Sequence, residues 1–258
     1  MSINQDYIEC IREIRNTHMT ASPRAMPAYE LFQHTFMVDM AHPIITIPQR
    51  ELDYKFMAAE AYWILRGLNC LDRHVRKNLV KYSDDGHNMF GAYGPPFVAQ
   101  RDYVVQCLAD DHHTRQAVVS LWHTSPRPSK DIPCTCGMQW QIRGGHLHCN
   151  VWMRSSDVWL GLPYDMFTFT MMTASIAILL KDHGMSVKLG TLHITAGNRH
   201  LYDRDWSNST HLINEWRDGI NLTIGLDSFR TVADLMIALD ALRNIQDINK
   251  WKENWLCR

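Results

Sequence analysis

A chain of 258 residues that is 46% hydrophobic has enough apolar material for one large core, and residues 1–258 read as a single domain. The formal net charge is -1 with no run of like charge, so the basic stripe that grips polymeric nucleic acid is missing and direct nucleic-acid binding is not expected. The opening MSINQDYIECIREIR has no apolar signal core, which points to a cytoplasmic protein, and 7 irregularly spaced cysteines read as free thiols in a reducing compartment.

The first predicted element is a helix over 3–16, where Ile3, Tyr7, Ile8, Ile11 and Ile14 share a side. Residues 22–28, SPRAMPA, form a loop holding Arg24. A strand follows over 31–38. Pro48 opens a long helix that runs to Leu65 and stops at Gly67. The stretch 83–97, SDDGHNMFGAYGPPF, is a loop too long to be only a connector. Residues 117–122 form a short buried strand, and 137–142 with 147–153 form a hairpin around Arg143-Gly144-Gly145. Residues 166–180 form an apolar helix, shorter than the ~20 residues that cross a bilayer, and closed by Lys181-Asp182-His183-Gly184. A buried central helix is expected there, with no membrane contact. A strand over 187–195 and a helix over 232–245, capped by Thr231 with Asp234 three residues on, complete the chain. Strands and helices mix without a regular βαβ period. That predicts an α+β, or mixed α/β, fold around one main mixed sheet flanked by helices.

Several residues carry chemistry. Cys134, in Asp131-Ile132-Pro133-Cys134, is a thiol on rigid backbone just before a strand; the plainer alternative is a half-buried structural cysteine. Cys134 and Cys136 with His146, His148 and Cys149 could suggest zinc. Yet Cys-x-Cys is not the usual knuckle, and alternation sends His148 and Cys149 to opposite faces, so no metal is expected. Glu60 lies in an apolar helix beside Phe56 and Trp63, where a carboxyl is costly unless paired or working. Arg24, Arg115 and Arg154 sit at loops or strand ends and could converge on a phosphate, although each alone reads as a surface cation. His200 and Tyr202 share one side of an extended segment, which suits a sugar hydroxyl or simple packing.

In order along the chain stand Glu60-x-x-Trp63-x-Leu65-Arg66-Gly67, Ala92-Tyr93-Gly94, Val119-Ser120-x-Trp122, Pro133-Cys134 with Gln139, Arg154-Ser155-x-Asp157-x-x-Leu160-Gly161-x-Pro163-Tyr164, and His200-x-Tyr202. Together they resemble thymidylate synthase and its pyrimidine-hydroxymethylating relatives over residues 7 to 206. The resemblance implies a homodimer packed sheet to sheet and a one-carbon unit from 5,10-methylenetetrahydrofolate. It makes Cys134 the nucleophile at pyrimidine C6. It gives Arg24, Arg115, Arg154 and Ser155 the phosphate, with Arg115 reaching in from a second subunit, and His200 and Tyr202 the sugar. Glu60 would move protons, Tyr93 would line the thiol, Gln139 and Asp165 would meet the base, and Asp157, Leu160, Gly161, Tyr164 and Trp63 would face the folate.

The departures sharpen the expectation. The resembled family reads uracil with an Asn after Pro-Phe; here Asp165 follows Pro163-Tyr164. Cytosine reverses uracil's donor and acceptor at positions 4 and 3, and a carboxyl can accept from the N4 amine while favouring a proton on N3. The alternative is a solvated aspartate at a helix start. Thr135 replaces the usual His, the closing tail is not recognisable in Asn254-Trp255-Leu256-Cys257-Arg258, and no tryptophan pair is seen in 79–85. These favour water over hydride as the final reactant. Gln116 stands where a second phosphate arginine is usual. The expected activity is dCMP 5-hydroxymethyl transfer, in a phage or a nucleoside-antibiotic pathway. The alternatives are dCMP methylation, CMP hydroxymethylation, dUMP methylation, a catalytically silent nucleotide-binding relative, or a zinc-stabilised structural protein.

Overall fold

The computed structural model describes residues 2–257. Helix α1 (Ile3–Asn16) begins where the Ser2 side chain accepts from the Gln5 amide, and its Tyr7, Ile8, Ile11 and Ile14 are fully buried. One cap satisfies an orphan amide and one apolar stripe supplies the packing. The helix expected from Pro48 is instead a single 3-10 turn, Pro48–Arg50, which Glu51 leaves at φ 49. Helix α2 (Tyr54–Leu65) starts afresh, because Asp53 accepts from the Phe56 amide and caps the new first turn.

The short helix α3 (Arg76–Leu79) leads into the 83–97 stretch, and that stretch is not all loop. Helix α4 (Gly94–Asp110) starts inside it, with Pro95 and Pro96 in the first turn. Proline suits a first turn as well as it suits a loop, since the missing N–H would be unpaired there anyway.

Among the described residues, seven strands make one mixed sheet. They are β1 (Thr20–Ala21), β2 (Ala28–Asp39), β3 (Val118–Ser120), β4 (Thr135–Arg143), β5 (His146–Met153), β6 (Ser156–Asp157) and β7 (Lys188–Tyr202), in the order β1-β2-β7-β5-β4-β3 with β6 against β7. The β5–β7 and β6–β7 pairs are parallel and the others antiparallel. The predicted hairpin is β4–β5. Helix α5 (Leu162–Leu180) packs against the sheet and is apolar all round. It is longer than expected: Leu162–His183 reaches membrane-spanning length and hydropathy, yet 83% of that window is buried inside the protein. An all-apolar helix enclosed on every side is a core helix.

Two features of the sheet position the site. The face away from α5 presents Met37, 61% exposed, and Trp152, 44% exposed. In addition, Gln33 on β2 has φ 48. Opposite it on β7, burial passes from Leu192, Ile194 and Ala196 to Arg199 and Leu201. The β2–β7 register is the same on both sides of this point, so it is the kink in the backbone, not a slip in pairing, that turns the later side chains to the other face. Beyond the kink, Glu30, Asn198 and His200 therefore emerge together and line a cleft.

Helices α6 (Trp206–Glu215) and α7 (Val232–Leu242) follow, and Thr231 with Asp234 forms the expected capping box. Trp251 packs on Tyr54 and Phe167, and Cys257 bridges to Ile224, whose amide donates to the Ala41 carbonyl. Ala41 lies in the turn past Asp39, and Asp39 is roughly 30 Å along β2 from Glu30 at the strand rise of about 3.3 Å per residue.

Candidate active site

Cys134 sits half-buried at the entrance to β4, on a loop held from two sides. The Gly91 amide donates to Asp131 Oδ2 at 2.7 Å, and a Cβ on Gly91 would lie 2.8 Å from the Asp131 carbonyl oxygen and 2.9 Å from the Pro133 nitrogen. Only glycine allows that approach. From the other side, Arg154 donates through Nε to the Pro133 carbonyl at 2.8 Å and through Nη2 to the Ile132 carbonyl at 3.0 Å. The same Nη2 lies 3.7 Å from Cys134 Sγ, and Ser155 Oγ lies 3.8 Å from it. Burial pushes the thiol pKa up, and the Arg154 charge pulls it back. A sulfur next to a guanidinium is poised for thiolate chemistry. The Thr135 amide donates to Tyr93 Oη at 3.2 Å. The Thr135 side chain is wholly buried and its hydroxyl has no hydrogen-bond partner among the described residues, so this residue meets the site through its backbone.

Two carboxyls complete the reactive end. Burial pushes Glu60, on α2, to about 8, and the Asp165 charge adds to the rise. Asp165, in the first turn of α5, is pushed to about 7 by burial, with Arg199 opposing and Asp157 adding. Each carboxyl therefore holds or yields a proton near neutral pH. The Asp165 charge also raises Cys134 and Tyr93. Cys134, Tyr93, Glu60 and Asp165 thus share one electrostatic environment, although they come from four separate segments.

A cleft of about 720 Å³ opens beside the thiol. Arg24, Arg154, Ser155, His200 and Tyr202 all line it. Arg24 adopts φ 52 and ψ 36, a left-handed conformation that a non-glycine residue holds only at a cost and that often marks a functional position. The His200 and Tyr202 rings meet edge to face at 4.9 Å. Lys130, Trp122, Glu30 and Asn198 also line the cleft. Sequence reading gave none of these four a place in the site: Trp122 stood in a motif without a role, and no motif marks the other three. A second cavity, of about 450 Å³ at the other end of the sheet, is walled by Asp6, Asp39 and Asp218 and suits no anion.

Near the start of α5 lies a ledge. The Asp157 carboxylate accepts from the Trp159 amide at 2.8 Å and the Leu160 amide at 3.0 Å, and Leu160 is 40% exposed. Gly161 lets Asp165 Oδ2 approach to 3.4 Å of where its Cβ would be. Tyr164 Oη accepts from the Asp53 amide at 3.1 Å. Arg50, not singled out from the sequence, stacks 4.0 Å over the Trp159 ring and donates to Tyr7 Oη at 3.0 Å.

Three expected residues stand elsewhere. Trp63 is buried in the core, with its indole N–H donating to the Cys70 carbonyl at 2.6 Å, so it faces no ligand. Gln139 lies opposite Asn150 on the uncovered sheet face and donates to the Arg115 carbonyl at 2.9 Å, away from the base. Strand alternation decides this, for Gln139 and the buried Met138 and Trp140 point to opposite sides. Arg115 is exposed and outside its own chain's cleft. The cysteines and histidines of the discarded zinc set are also drawn apart. The hairpin puts Cys134 at one end and His146 at the other, and among the described residues no group of three or more metal-ligating side chains gathers.

A nucleophilic sulfur beside proton-bearing carboxyls and an arginine-lined cleft suits covalent catalysis on a phosphorylated heterocycle. The thymidylate synthase family model matches residues 5–238. The chain belongs to the thymidylate synthase family, and so to the folate-dependent enzymes that transfer one carbon to C5 of a pyrimidine nucleotide with methylenetetrahydrofolate as donor.

Proposed function

We propose that the protein is a deoxycytidylate 5-hydroxymethyltransferase. The observation that carries this reading is Asp165, a half-buried carboxyl raised to about 7 that stands where an amide would read uracil and whose charge reaches Cys134. Ionised, it accepts from the cytosine N4 amine; protonated, it supplies N3 with the proton that negative charge on the adduct ring calls for.

Each residue then has a task. Cys134 adds to C6, and Arg154 steadies the thiolate before attack. C5 becomes nucleophilic as a result, because the new bond pushes electron density onto it. Arg24, Arg154 and Ser155 take the phosphate and Lys130 replaces the charge missing at Gln116. His200 and Tyr202 take the sugar hydroxyl. Glu60, carrying a proton at neutral pH, moves it between solvent and ring. Tyr93 closes the wall behind the thiol. Methylenetetrahydrofolate supplies the carbon at the formaldehyde oxidation level. The ledge of Asp157, Leu160, Gly161 and Tyr164 fits it, since an apolar shelf beside a carboxylate suits a flat heterocycle with N–H donors. Water completes the product. Arg115 reaches the phosphate of a second subunit when two uncovered sheet faces stack as a homodimer.

The test is product mass. Pure protein is incubated with methylenetetrahydrofolate and dCMP, CMP or dUMP. Hydroxymethyl-dCMP is expected. A methylated product with dihydrofolate release defeats water capture, and turnover of dUMP alone defeats the cytosine assignment.

A further inference from the structure

Asn198 stands between Glu30 and His200 on the cleft wall. Strand pairing sets Glu30 opposite His200 and Phe32 opposite Asn198, so the three side chains share one patch beyond the Gln33 kink. Asn198 Nδ2 donates to the Glu30 carboxylate, and Asn198 Oδ1 lies 3.1 Å from His200 Nδ1.

The chemistry leaves one arrangement. A carboxylate only accepts, so the amide must turn its NH2 toward Glu30 and its oxygen toward His200. An amide oxygen only accepts, so His200 must donate from Nδ1. In a neutral imidazole the remaining nitrogen, Nε2, then carries a lone pair. Burial lowers the His200 pKa and favours that neutral ring.

We propose that Glu30 is a positioning residue which, through Asn198, fixes the tautomer of His200 so that Nε2 offers an acceptor to a donating hydroxyl in the cleft. This rests on the nucleotide reading above for the hydroxyl, which is the sugar 3′-OH, but not for the tautomer. The acceptor explains how the site tells a hydroxyl from its absence: a buried lone pair left unmatched costs binding, and the wrong tautomer sets two donors face to face. A Gln at position 30 keeps the shape yet both donates and accepts. Asn198 is then free to flip, and both tautomers of His200 become populated.

The experiment has a spectroscopic and a kinetic arm. Nitrogen-15 NMR of histidine-labelled protein, with the His200 signal assigned by its loss in H200Q, is expected to report the Nδ1-H tautomer in the wild type and a mixture in E30Q and in N198A. N198A serves if E30Q fails to fold. In kinetics, E30Q should raise KM for dCMP about tenfold with much less effect on kcat, as expected for one hydrogen bond. The wild-type preference for dCMP over 2′,3′-dideoxy-CMP should shrink by about the same factor. A wild-type Nε2-H tautomer, or a tautomer indifferent to both substitutions, overturns the proposal. A tautomer change with an unaltered dCMP-to-dideoxy preference overturns the sugar role. Loss of dCMP turnover in the wild type, with the tautomer change intact, counts against the nucleotide reading instead.

Discussion

Asp165 lies one turn into α5, and its consequences follow from protonation. An Asn there has the same size but cannot ionise, so D165N should cut dCMP turnover by about a hundredfold or more and shift preference toward dUMP. Competition between the two nucleotides, read by product mass, checks it. C134S keeps the phosphate and sugar contacts and removes the nucleophile. It should lose turnover on the order of ten-thousand-fold while binding dCMP with little change, as calorimetry would measure. Unchanged turnover in C134S would remove the sulfur from the mechanism. At this scale the sequence was most informative: it singled out Cys134, Arg154, Ser155 and Asp165, and Arg154 and Ser155 lie beside the Cys134 thiol, whose pKa the Asp165 charge raises. Trp63 lies in the core and Gln139 on the uncovered sheet face, since spacing names a residue without saying which way it points.

Among the elements, the loop Asp131–Cys134 and its support matter most. It is fixed by the amide and bare backbone of Gly91 and by the Arg154 guanidinium. In G91A a methyl would meet the Asp131 carbonyl and the Pro133 nitrogen at under 3.0 Å. The loop must shift, and kcat should fall roughly a hundredfold, as displacements of an ångström at a reacting centre do. Melting temperature and the dCMP binding constant should change far less; a kcat within a factor of two of wild type would show that the loop position is not set there. Element identity was legible wherever the signal is local. Helix α1, the β4–β5 hairpin and the α7 capping box follow from caps, turns and periodicity. Helix α4 was hidden because Gly94-Pro95-Pro96 serves a turn and a helix start alike. The long helix from Pro48 failed because Asp53 caps a separate one.

The whole molecule carries two further consequences. The folded-state pKa values of Glu60 and Asp165 lie above their ordinary 4.5 and 3.8, at about 8 and about 7. A carboxyl raised in this way contributes stability in full below its unfolded pKa and loses it as pH rises through the folded value. The ligand-free protein should therefore melt lower as pH goes from about 5 to about 9. E60Q, which never ionises, should flatten that decline and melt higher at the alkaline end by on the order of 5 °C. Scanning calorimetry across pH tests this, and parallel curves for the two proteins would refute it. The second consequence concerns the uncovered sheet face, where Met37 and Trp152 are exposed beside Thr35 and Thr195. Apolar groups this exposed on one flat face suit a second copy. W152K should give a monomer in sedimentation and, with Arg115 then unable to reach a partner, a matching loss of activity.

By itself the sequence singled out Cys134, the Arg154-Ser155 pair beside it and the acid at 165, and it determined the elements whose ends carry their own caps and turns. All of these are encoded within a few residues, where side chain and backbone meet without help from the rest of the chain. Only the tertiary structure decided that Glu30, Lys130 and Asn198 join the cleft, that Trp63 and Gln139 leave it, and that Arg115 lies outside its own chain's site. Glu30 and Asn198 reach the cleft through the change of faces at Gln33, Gln139 leaves it by strand alternation, and Trp63 leaves it by the packing of α2 into the core. The β2–β7 pairing keeps one register on both sides of that kink while inside and outside exchange, and the pairing joins residues more than 150 positions apart, so no neighbour in sequence announces it.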